Sequence, residues 1–141
     1  SPKYWGGIEI ITMNDDLTKW YVRVTGLDEP YKGGEYIIRI EASEDHPNKP
    51  PKYYFMTPNG MYAMGLNACI SISTYHADKY PAVLGMTGFI MNVIGAMLQW
   101  ETIGTGINIL KVGAEEKQKL ADESYDYNRE HNIDIISMFE Q

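Results

Sequence analysis

Apolar and polar residues alternate in three stretches near the start of the chain: "GIEIITM" (7–13), "WYVRV" (20–24) and "YIIRI" (36–40). A period of two sends successive side chains to opposite faces, so each stretch predicts a strand with one buried face. The segment between the last two, "GLDEPYKGG" (26–34), is packed with turn formers and predicts a meander hairpin, with Gly33 and Gly34 at positive φ. Three prolines in "HPNKPPKYYFM" (46–56) exclude a helix and allow an extended arm running into a strand at 52–56. Trp20 and Phe55 alternate with polar neighbours and are expected in the core, while the many tyrosines are expected to bury rings and keep hydroxyls wet.

From residue 58 to about 85 no period is sustained. Irregular segments of that length are uncommon in compact domains and are usually functional. Helical spacing then takes over, with Phe89, Ile90, Val93, Ile94, Met97 and Leu98 forming one apolar stripe. Gly88, Gly95 and Ala96 beside it are small, which predicts a close approach to a sheet. "AEEKQKLADESYDYNREHN" (114–132) predicts a second helix with acids in its first turn, and "IDIISMF" (133–139) a short third one. The expected architecture is α+β: a four-stranded antiparallel meander sheet packed on helices, as a single domain over 1–141.

Composition narrows the function. At 141 residues the chain can bury a core without staples. Its 12 basic and 19 acidic residues leave a net charge of −7 with no basic cluster, which argues against nucleic acid as a partner. The longest apolar run, around 89–98, is too short for a membrane span. No cofactor motif is visible. The single cysteine excludes an internal disulfide and a thiolate-based zinc site, and His46, His76 and His131 lack metal-ligand spacing, so no metal is expected.

That cysteine, Cys69, sits in "NACISIS" inside the irregular segment. It reads either as a small buried hydrophobe or as a nucleophile, because a thiol of ordinary pKa still supplies some intrinsically reactive thiolate at neutral pH. Chemistry alone leaves both open.

"PYKGGEY" (30–36), "HPNKPP" (46–51), "TPNG" (57–60), the cysteine before "ISIS", and the ending "KLADESYDYN…MFEQ" together resemble the ubiquitin-conjugating enzymes. The similarity runs from about residue 8 to the end. Most members carry His-Pro-Asn; here Thr57-Pro58-Asn59 stands in its place, and Cys69 follows Asn59 by ten residues, two more than usual. That variant is similar to the branch acting at the endoplasmic reticulum membrane in disposal of misfolded proteins.

The resemblance implies that Cys69 accepts ubiquitin from an activating enzyme as a thioester and passes it to an amine. Asn59 matches the motif Asn, which either donates to the oxyanion of aminolysis or braces its own loop as an Asx turn. Many relatives place an Asp two residues past the cysteine; here it is Ser71. The proton of an incoming lysine would then go to His76, Asp78 or Glu101, and the pairing of Ser71 with His76 raises Ser and Thr hydroxyls as acceptors. Ligase docking, of the RING type, maps to Pro81 and Ala82 and to Asn48, where an aromatic is usual.

Two features depart further from the family. Ala42-Ser43 replaces Phe-Pro, and nothing ahead of Ile8 would form the usual N-terminal helix, which is therefore expected to be missing. The expected location is cytoplasmic, at the cytosolic face of the endoplasmic reticulum if the native chain carries a C-terminal anchor. Two alternatives stay open: a non-catalytic ubiquitin-binding variant of the same fold, and a conjugating enzyme for another ubiquitin-like modifier.

Overall fold

A computed structural model of the chain describes residues 7–13, 16–42, 50–66, 69–70, 85–102 and 106–141. Four strands follow one another as an antiparallel meander: β1 (Ile8–Met13), β2 (Asp16–Val24), β3 (Tyr36–Glu41) and β4 (Lys52–Phe55). Among the described residues three helices come later: α1 (Gly85–Leu98), α2 (Ala114–His131) and α3 (Ile133–Phe139). The α+β meander expected from the alternating pattern is the one observed. β2 starts earlier than "WYVRV", at Asp16, and Lys19 extends its ladder opposite Glu41 of β3.

Alternation sorts the sheet into two faces. Val22, Val24, Tyr36, Ile38, Ile40, Tyr53 and Phe55 point one way and are buried against Phe89, Ile90, Val93, Ile94 and Met97 of α1. Burying such a set is the main favourable term in the fold. The α1 stripe is therefore the predicted one. Large side chains fill its contact with the sheet, whereas Gly88 and Gly95 are only half-buried. On the opposite face Ile37 is covered by Ile135 and Ile136 of α3, with Tyr21, Met56, Met138 and Phe139 around them. Phe55 is a core residue as expected, and Trp20 packs half-buried at the edge of the core.

Two expectations need correcting. Gly33 has φ +80°, but Gly34 lies outside the left-handed region. Its requirement for glycine is steric, since a Cβ there would lie 2.4 Å from the Tyr36 hydroxyl oxygen. The core tyrosines also keep their hydroxyls dry. Tyr31 donates to the Met97 carbonyl at 2.8 Å and Tyr62 to the Val93 carbonyl at 2.9 Å. Burial pushes the phenol pKa of Tyr31, Tyr36 and Tyr62 well above its usual value.

α2 follows a different rule. Glu115 and Glu116 stand in its first turn and Arg129 and His131 in its last, matching the dipole. Its buried stripe, however, is Lys117, Ala121, Ser124 and Asn128. Polar groups dock this helix.

Candidate active site

Residues 57–62 make a tight loop off the end of β4, and hydrogen bonds inside it define its shape. Asn59 is 1% exposed. Its Oδ1 accepts from the amides of Met61 at 2.9 Å and Tyr62 at 2.7 Å. Its Nδ2 donates to the carbonyls of Thr57 and Tyr62, both at 3.1 Å. Both lone pairs and both amide hydrogens are thus committed to local backbone. Gly60 follows at φ +84°, a conformation that side-chain-bearing residues rarely adopt.

Thr57 ties the loop to the rest of the molecule. Its hydroxyl accepts from the Ile37 amide at 3.0 Å and donates to Asn128 Oδ1 at 2.6 Å. Asn128 Nδ2 in turn donates to the backbone carbonyl and to Oε1 of Glu35, both at 2.9 Å. Asn132 Nδ2 donates to Asn128 Oδ1 at 2.9 Å and to the Met56 carbonyl at 2.8 Å. Glu35 is 3% exposed and also takes the Arg129 guanidinium, whose pKa that bond raises. Buried groups of this kind cost free energy unless paired, and here each named atom has its partner.

The cysteine strand stands beside this loop. β5 (Cys69–Ile70) pairs antiparallel with β6 (Gly106–Ile107), Cys69 opposite Ile107. The segment that continues β6 pairs with the loop: the Ala63 amide donates to Asn108 at 2.8 Å and the Leu110 amide to Met61 at 2.7 Å, with Tyr62 opposite Ile109. One stretch of chain, 106–110, therefore carries both the end of the Asn59 loop and the strand of Cys69. Between them Met64 bridges Phe55 of β4, and the Gly65 amide donates to the Phe55 carbonyl at 2.9 Å. Met64 and Leu66 project to solvent.

Of the residues singled out in the sequence, Asn59 and the backbone of Cys69 are brought together on this framework. Ser71, His76, Asp78, Pro81, Ala82 and Asn48 lie outside the described residues, as does the stretch ahead of Gly7 where the family helix was sought. Glu101 is exposed in the turn after α1. Sequence reading missed Thr57, Asn128 and Glu35 as parts of the site framework. The signal available was the set of polar residues at helical spacing, Lys117, Ser124 and Asn128, which looks like a solvent face until the loop is placed on it. Among the described residues no group of His, Cys, Asp or Glu is placed to hold a metal ion, and no helix is long and apolar enough to cross a membrane.

The family model for "Ubiquitin-conjugating enzyme" matches residues 5–109, which include the sheet, the Asn59 loop and Cys69. The chain belongs to the ubiquitin-conjugating enzyme family. Among curated relatives, ubiquitin-conjugating enzyme E2 J1 of Homo sapiens is 32% identical over 117 residues, covering 82% of this chain and 36% of the relative. Ubiquitin-conjugating enzyme E2 6 of Saccharomyces cerevisiae is 29% identical over 126 residues, covering 89% of this chain and 49% of the relative. The chain thus spans between about a third and a half of the length of these relatives. Among solved structures, human ubiquitin-conjugating enzyme E2 G1 superposes with a TM-score of 0.53 at 24% identity, over 65% of this chain and 80% of that one. A putative ubiquitin conjugating enzyme from Plasmodium yoelii gives a TM-score of 0.55 at 18% identity, over 66% and 61%. At those identities the structures bear on the fold, and the fold agrees with a ubiquitin-conjugating enzyme.

Proposed function

We propose that this chain carries ubiquitin as a thioester on Cys69 and transfers it to substrate lysine, and also to Ser or Thr hydroxyls. The observation that carries this reading is the pairing of the strand bearing the chain's one thiol with the segment that also holds the Asn59 loop. The Cys69 thiolate attacks the carbonyl of the ubiquitin thioester on the activating enzyme, and that enzyme's thiolate leaves. An acceptor amine then attacks the new thioester, the Cys69 thiolate leaves, and the amine gives up its proton. Thioesters are already open to amines, so positioning supplies most of the catalysis.

Asn59 serves this reading as a positioning residue, because its four hydrogen-bonding sites are spent on residues 57–62. Family resemblance supports His76 as the proton acceptor where Ser71 replaces the usual Asp, and Pro81, Ala82 and Asn48 as the docking surface for a RING-type ligase. The resemblance of Thr57-Pro58-Asn59 to the branch acting at the endoplasmic reticulum supports a cytoplasmic role, at the cytosolic face of that membrane if the native chain carries a C-terminal anchor.

The test incubates the chain in its native length with activating enzyme, ATP and ubiquitin, followed by a non-reducing gel. A thiol-sensitive shift that disappears in Cys69→Ala is expected, and discharge onto free lysine, serine and threonine then reads the acceptor range. Absence of the shift with ubiquitin, together with its presence for another ubiquitin-like modifier, would overturn the choice of cargo. Absence with every modifier would overturn the thioester itself.

A further inference from the structure

We propose that Lys117 is a positioning residue for the Cys69 site, gripping both the Asn59 loop and the segment that pairs with Cys69. The inference rests on the reading of Cys69 as the thioester carrier. Lys117 lies on the buried stripe of α2 and is 1% exposed. Its Nζ donates to the Val112 carbonyl at 2.7 Å and sits 4.2 Å from the centre of the Trp100 ring. Among the described residues no carboxylate pairs with it. A buried ammonium without a counter-charge is costly, and burial accordingly lowers its pKa. A methionine of similar length would fill the space without that cost, so the charge itself calls for an explanation.

The explanation lies in what the two ends of the side chain touch. A Cβ on Gly60 would lie 2.9 Å from Lys117 Cγ, and 2.9 Å from Val112 Cγ2, so the backbone after Asn59 rests directly on this stem. The ammonium end fixes Val112, two residues beyond Leu110, whose amide bonds Met61. From there the segment runs back to Ile107 opposite Cys69. One side chain thereby sets the spacing between loop and strand, and the ring of Trp100 at the end of α1 holds the cation in place.

The test compares wild type, K117M and K117R by backbone amide exchange and by single-turnover discharge of the Cys69 thioester onto free lysine. K117M is expected to speed exchange of the Leu110 and Ala63 amides by about 10-fold, with β2 and β3 amides unchanged. It should also slow discharge by about 10-fold or more. K117R keeps the charge and is expected to restore both. Unchanged protection of Leu110 and Ala63 in K117M would overturn the proposal, as would faster exchange with wild-type discharge. Should K117M not fold, Trp100→Leu replaces it: the same pattern at smaller amplitude is expected, and wild-type behaviour overturns. If wild type forms no Cys69 thioester, the carrier reading falls, while the amide pattern alone still decides whether Lys117 holds the strand.

Discussion

Helices α1 and α2 dock in opposite ways. α1 docks chiefly through apolar area, burying Phe89, Ile90, Val93, Ile94 and Met97, with the Tyr31 and Tyr62 hydroxyls on its Met97 and Val93 carbonyls. α2 buries Lys117, Ser124 and Asn128 and is held by single, directional contacts: Ser124 Oγ accepts from the Glu35 amide at 2.8 Å, and Asn128 bonds both Thr57 and Glu35. Apolar area is non-directional and supplies stability, whereas a buried hydrogen bond fixes geometry at small net gain. The α1 face keeps the domain folded. The α2 face decides where the loop beside Cys69 sits.

Substitutions on the two faces can break this distinction. The largest effect on stability is expected from Ile94→Ala in α1, a loss of about 2–5 kcal/mol in thermal or denaturant melting. Discharge per folded molecule should stay near wild type, and a specific loss of discharge would erase the contrast. Asn128→Ala in α2 is expected to cost about 2–3 kcal/mol, because Thr57 and Glu35 each lose a buried partner. Here discharge should fall further than the folded fraction accounts for. Smallest is Tyr31→Phe, which removes the hydroxyl's bond to the Met97 carbonyl and should cost about 1 kcal/mol in melting, with discharge unchanged.

The same contrast explains what the sequence revealed. Hydrophobic period located β1, most of β2, β3 and α1 with its buried face, because in those elements burial and hydrophobicity coincide, while the prolines ahead of it placed β4. For α2, the acids of the first turn announced a helix, but Lys117, Ser124 and Asn128 carry no hydrophobic signal, so the docking face stayed hidden. Glu35 stood in "PYKGGEY" without a role of its own, and only the fold shows it buried between Asn128 and Arg129. Dry tyrosine hydroxyls escaped for a related reason: a donor's partner is a carbonyl of another element, which no local pattern encodes. Asn59 was legible as a motif residue with two roles, and the choice between them depended on atoms up to three residues away in a turn.

That choice is the central claim, and Asn59→Ala tests it most directly by recording melting and single-turnover discharge on one preparation. Removing the side chain leaves the Met61 and Tyr62 amides without their acceptor. A loss of about 3 kcal/mol is expected, together with slower discharge by the molecules that remain folded. Wild-type melting with discharge abolished would contradict the account, since it would mean that the amide acts on the reacting carbonyl and not on its own loop.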